Sequence, residues 1–190
     1  MKKTLFAILA VLLCFSFAEA QQVIVMKKAA GAGGPDAWYY SCTDTPATEP
    51  TWADGHTTSS NTNVTLTPIT ISSGGSITKF SIKGDETYAE YAKLALYSVS
   101  GNTATQLSTS CTTGSFIPGW IDCTLGTPYT VSSGSYYIGI ITDINAFVKR
   151  LTTNNEKLCS SQTYADFPKS EYTGVGDVSN HCTAVRLYVD

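Results

Sequence analysis

Short alternating or continuous apolar runs recur along this chain, many at spacings near ten residues, with turns rich in Gly, Ser, Asn and Pro between them. The runs are Val23–Met26, Asn63–Leu66, Ile69–Ile71, Ile77–Lys83, Ala92–Val99, Gln106–Ser110, Trp120–Leu125, Tyr129–Val131, Tyr136–Thr142 and Ala184–Val189. In the last of these, Val185, Leu187 and Val189 alternate with Ala184, Arg186 and Tyr188, which places the two sets on opposite faces of a strand. No stretch carries a helical stripe of useful length. Glu86–Lys93 contains helix formers, but Thr87, Tyr88 and Tyr91 interrupt it. An α/β fold needs helical crossovers that this pattern does not supply. The expectation is an all-β chain, folded as a single antiparallel jelly-roll-like β-sandwich over residues 36–190.

One segment returns. Thr67-Pro68-Ile69-Thr70-Ile71-Ser72-Ser73-Gly74 is echoed by Thr127-Pro128-Tyr129-Thr130-Val131-Ser132-Ser133-Gly134, and each copy leads into a further apolar run. A strand opened by Pro, a Ser-Ser-Gly turn and a return strand account for both copies, so equivalent hairpins in the two halves of one sandwich are expected. Two copies are too few for a solenoid.

Ile77-Thr78-Lys79-Phe80, Ala92-Lys93-Leu94-Ala95-Leu96-Tyr97-Ser98, Gly119-Trp120 and Ser133-Gly134-Ser135-Tyr136-Tyr137-Ile138-Gly139-Ile140 follow one another in that order. The series resembles secreted bacterial jelly-roll modules of the carbohydrate-binding or adhesive-appendage kind. The resemblance covers about a third of the chain. It implies a fold and says little about a ligand, because its motifs are structural.

The N-terminus reads as an export signal. Lys2 and Lys3 precede the apolar run Leu5–Phe17, and Ala18-Glu19-Ala20 supplies a small-x-small cleavage site before Gln21. Residues 1–20 are therefore expected to leave. Residues 21–35 follow as an apolar strand, Gln21–Met26, and a Gly/Ala hinge. Only 14% of the chain is charged and its net charge is -3, so no basic field for nucleic acid exists. Ser and Thr make up 45 of the 170 residues after the leader, a bias that suits hydrated strand faces. The expectation is a secreted protein, extracellular, surface-bound or periplasmic, with no membrane span once the leader is gone.

Five cysteines remain beyond the leader, and in an exported chain disulfides are their default state. Cys111–Cys123 is expected, because Gly114 and Pro118-Gly119 let the chain turn between them. Cys159–Cys182 is the second expected bridge, pinning a C-terminal loop to the last strand. Cys42 is then left over, as a free thiol, as another partner for Cys159, or for an intermolecular bridge.

The usual signatures of nucleophilic elbows, zinc proteases and phosphate loops are not present in the sequence. Glu86 with Glu90, or Asp122 with Asp143, make carboxylate pairs on paper only. Aromatic residues are the richer resource. Trp38, Trp52, Trp120, Tyr137 and Tyr172 are the candidates for stacking on sugar rings, set against the ordinary use of Trp and Tyr to pack strands. No organic cofactor is expected. Structural calcium is the metal to consider, through Gly84-Asp85-Glu86 and Asp143-Ile144-Asn145 at strand ends. The leading expectation is a secreted, non-catalytic binding or adhesion module that contacts a glycan or surface polymer. The alternative is a self-associating filament subunit that donates its N-terminal strand to a neighbour, and a small secreted hydrolase stands third.

Overall fold

The computed structural model describes residues 37–43, 48–58, 62–87, 91–144, 146–152, 156–160, 162–177 and 181–190. The expected leader, N-terminal strand and hinge lie outside the described residues. The strands run β1 (Ala37–Tyr40), β2 (Ala53–Thr58), β3 (Asn63–Ile71), β4 (Gly75–Gly84) and β5 (Ala92–Ser100). They continue as β6 (Thr103–Gln106), β7 (Cys111–Thr112), β8 (Gly119–Val131), β9 (Gly134–Thr142) and β10 (Ala146–Leu151). The series ends with β11 (Lys157–Ser160), β12 (Glu171–Thr173), β13 (Gly176–Asp177), β14 (Cys182–Thr183) and β15 (Val185–Val189). No helix occurs among the described residues, so the all-β expectation is met.

Two antiparallel sheets pack face to face. The first has the order β1-β15-β4-β10-β14, with β8 also paired to β4 and β2 to β10. The second has the order β12-β6-β5-β9-β3-β11-β13, with β7 against β5. Alternation along the strands builds the core between them. Phe80, Ile82, Ile121, Val185 and Leu187 come from the first sheet, and Ile69, Leu94, Leu96, Ile138 and Ile140 from the second, all in one buried cluster. Each such side chain contributes roughly 1.5–3 kcal/mol on leaving water.

Two strands are longer than the sequence suggests. Pro68 lies inside β3, where its carbonyl accepts from the Cys42 amide and a missing N–H is tolerated at that edge. Gly126-Thr127-Pro128 lies inside β8 where its register against β4 shifts between Thr124 and Tyr129, so two expected strands fuse into one of 13 residues. Conversely, β2 occupies what reads as a polar loop between Thr43 and His56.

The internal echo is not a pair of hairpins. β3 belongs to the second sheet and β4 to the first, whereas β8 belongs to the first and β9 to the second. Each Ser-Ser-Gly turn is therefore a corner at which the chain changes sheets, in opposite directions. The two copies also meet, since β3 pairs with β9 through Ile71↔Gly134 and β4 with β8 through Gly75↔Val131. The corners are close enough that a Cβ on Gly74 would sit 2.7 Å from the Val131 carbonyl oxygen. Local turn chemistry signalled both corners, but only packing decides which sheet the returning arm joins.

A second buried cluster lies on the outer face of the second sheet. Val64, Leu66, Ala95, Tyr97 and Ile141 are covered there by Phe167, Tyr172 and Val175. The segment 162–177, which also supplies β12 and β13, the two edge strands of that sheet, thus covers the cluster.

The cysteines correct one expectation and meet another. Cys111 and Cys123 are bridged, with Cα atoms 5.6 Å apart, and tie β7 of the second sheet to β8 of the first. Cys182 is bridged to Cys42, not to Cys159, with Cα atoms 6.3 Å apart across 140 positions of sequence. Cys42 is accordingly engaged within the chain and not left over for a neighbour. Cys159 sits in β11 opposite Val64 in the backbone register. Both bridges are compatible with an oxidising compartment.

Candidate functional site

Three of the five candidate aromatics come together on the outer face of the first sheet. Register places Trp38, Tyr188, Lys79 and Thr124 in one cross-strand row, and Tyr40, Arg186, Ser81 and Asp122 in the next. Trp120 pairs with Lys83 two positions further along the same strands. Because side chains alternate with period two, all of these project from one face. Trp52 enters from the segment before β2 and meets Trp120 edge-on, ring centres 6.1 Å apart.

Cations are interleaved with the rings. The Arg186 guanidinium lies 3.8 Å from the Trp38 ring centre and 4.3 Å from that of Trp120, so it is held between two indoles. Lys83 stands 5.2 Å over Trp120 and Lys79 stands 5.8 Å over Tyr188. Arg186 Nε also donates to Ser81 Oγ at 3.3 Å, and Ser81 Oγ in turn donates to the Asp122 carboxylate at 2.6 Å. Such contacts are each worth about 0.5–2 kcal/mol, more where water is excluded.

Glu49 closes the far side of the cluster. Its carboxylate accepts from Lys83 Nζ at 2.6 Å and from the Trp120 indole N–H at 3.0 Å. Partial burial works to raise this carboxyl, but the hydrogen bonds from Lys83 and Trp120 and the charge of Lys83 outweigh it. The group is held below the ordinary carboxylate range. The result is a preorganised surface of rings, ammonium and guanidinium donors, and carboxylate acceptors.

The other two candidates lie elsewhere. Tyr137 is on the outer face of the second sheet, half-buried beside the second hydrophobic cluster. Tyr172 is 3% exposed, and its ring centre stands 5.6 Å from that of Tyr97. Its hydroxyl accepts from the Lys169 amide at 3.3 Å. Tyr172 therefore packs the outer cluster and offers no face to a ligand, contrary to its place among the candidates.

Sequence reasoning missed Arg186, Lys83, Lys79 and Glu49. The signal available was the alternation Lys79-Ser81-Lys83 and Arg186-Tyr188, which sets each pair on one face without saying what lies beside it. The acidic turns considered for calcium are used internally. Asp85 pairs with Lys149, and Asp143 accepts from the Tyr91 amide at 2.9 Å. Among the described residues no group of three or more His, Cys, Asp or Glu side chains gathers as a metal site would require.

A buried carboxyl lies apart from this surface. Glu156 is 4% exposed, between the sheets, where one of its oxygens accepts from Thr67 Oγ1 at 2.8 Å and from the Thr183 amide. Desolvation dominates and pushes its pKa up, against the hydrogen bonds from Thr183 and Thr67.

No family model, curated protein or solved structure matches the chain. No helix among the described residues is long and apolar enough to cross a membrane.

Proposed function

We propose that this chain is a secreted, non-catalytic binding module that holds a glycan or similar surface polymer against the outer face of its first sheet. The observation that carries this reading is the convergence of Trp38, Trp52 and Trp120 with Lys79, Lys83 and Arg186 on one sheet face. Cations locked against the indoles keep the rings in place before a ligand arrives, which lowers the ordering cost of binding. Half-buried rings and donor groups at fixed spacing suit the alternating apolar faces and hydroxyls of a polysaccharide. The residues spread over four adjacent strands, β1, β15, β4 and β8, a span that suits an extended polymer. The two carboxylates in the cluster, Glu49 and Asp122, both hold donors of the same surface, an arrangement of support and not of acid–base chemistry.

A glycan array probed with the mature chain tests the proposal. Retention of one polysaccharide class, lost in Trp38→Ala and Trp120→Ala variants that keep the wild-type far-UV spectrum, is the expected result. Retention that survives both substitutions would remove the first sheet from the reading, and an array with no retained glycan would remove the ligand class.

A further inference from the structure

A cavity of about 290 Å³ lies at the opposite sheet, lined by Cys42, Thr43, Pro68, Thr70, Ser135 and Tyr137 together with their neighbours. Its walls follow from the topology. Pro68 pairs with Tyr137 across β3 and β9, and Thr70 pairs with Ser135, so these four side chains share the outer face of the second sheet. The far wall is the strap that leaves β1. Ser41 bridges to Ile69, and the Cys42 amide donates to the Pro68 carbonyl at 3.0 Å. The bridge from Cys42 to Cys182 anchors that strap from behind. Cys42 has φ of 55°, a left-handed turn that few side chains adopt, and it is held there by the hydrogen bond and the disulfide together.

The lining contains no ionisable acid or base other than phenols, so an anionic or cationic ligand would find no counter-charge there. What it does offer is the ring of Pro68, the phenol of Tyr137, and hydroxyl groups from Thr70 and Ser135. A pyranose presents the matching set, a C–H face for a ring and hydroxyls for hydroxyls. The volume sits at the lower end of the roughly 300–1,000 Å³ typical of small-molecule sites, so a ligand of one or two rings is the right size.

We propose that this cavity is a binding subsite for a neutral sugar unit, separate from the aromatic face and closed on one side by the disulfide-anchored strap. The proposal takes its ligand class from the glycan reading above and its location from the second sheet alone, so the two fail in different ways.

The test is an NMR titration of the 15N-labelled mature chain with maltohexaose, cellohexaose, xylohexaose, mannohexaose and laminarihexaose. Each sugar is added to about 10 mM, a range suited to millimolar affinity. At least one sugar is expected to shift the amides of Thr43, Ile69, Thr70, Ser135 and Tyr137. Thr70→Val and Ser135→Ala, both at exposed positions where folding is undisturbed, are each expected to weaken that sugar about tenfold. Tyr137→Ala should abolish its binding, whereas Trp120→Ala should leave these shifts as they are. Shifts confined to the face of Trp38 and Trp120 would overturn the subsite and leave the aromatic face standing. No shift anywhere with any of the sugars would overturn both. Wild-type affinity in all three cavity variants would also overturn it.

Discussion

The guanidinium carbon of Arg186 lies 3.8 Å from the centre of the Trp38 ring, although 148 positions of sequence separate them. β1 and β15 are neighbours, and the register that pairs Tyr40 with Arg186 and Trp38 with Tyr188 seats the guanidinium beside the indole. Trp120, from the far side of β4, covers its other face. One cation thus joins β1 to β8 over the intervening strands.

That position predicts a stability effect. Arg186→Ala should cost about 1–3 kcal/mol in urea unfolding, from two lost ring contacts and the bond to Ser81. Arg186→Lys should recover only part of it, since an ammonium cannot stack between two planes. A double-mutant cycle with Trp38→Ala should show clear non-additivity. Additive losses would mean that the stack contributes nothing as a unit.

The disulfides predict an ordering. In the chain-entropy view, a bridge across 140 positions restrains the unfolded chain by roughly 5 kcal/mol and one across 12 by roughly 3 kcal/mol. Replacing Cys42 and Cys182 by Ser should therefore lower the urea midpoint more than replacing Cys111 and Cys123. Non-reducing peptide mapping should recover Cys42–Cys182 and Cys111–Cys123, and a Cys159–Cys182 peptide would contradict the assignment.

Glu156 predicts a pH dependence. Its pKa is raised by burial, so the folded protein favours the protonated acid more than the unfolded chain does. The stability it contributes is fully present below the ordinary carboxylate pKa, and is lost as pH rises through the raised value. Both hydrogen bonds land on a single oxygen, so Glu156→Gln can keep them and remove the charge. The variant should match the wild type in thermal unfolding near pH 4 and exceed it near pH 8. Equal melting temperatures at both pH values would dismiss the linkage.

Gly139 predicts a packing limit. A Cβ at this position would stand 2.5 Å from a ring carbon of Tyr97, a fully buried side chain with no room to retreat. Gly139→Ala should cost about 1–3 kcal/mol by overpacking. Gly126→Ala, where the added carbon meets nothing within 4 Å, is the control and should be close to neutral.

Much of the fold was legible in the chain. Val185–Val189 announces itself by alternation, Tyr136–Thr142 by a continuous apolar run, and the Cys111–Cys123 bridge by the turn residues between its ends. Pro68 and Pro128 obscure strand continuity, because a Pro reads as a break, whereas Pro68 sits where β3 meets the Cys42 strap and Pro128 where β8 shifts register against β4. β2 was hidden because its sequence, Ala-Asp-Gly-His-Thr-Thr, has no apolar alternation to find. Of the candidate site, the individual tryptophans were visible and their company was not. Tyr172 looked like a surface ring because nothing near it in sequence shows the cluster that it covers.

The sequence by itself determined which side chains share a face along each strand, and where the chain turns. These depend on the backbone period and on local turn chemistry, which act over a few residues. Only the tertiary structure decided which strands lie side by side. That choice joined Trp38 to Arg186 and Cys42 to Cys182, and turned two apparent hairpins into a matched pair of sheet-changing corners. Strand order is settled by packing two sheets around one core, a sum of contacts between distant segments that no local window contains.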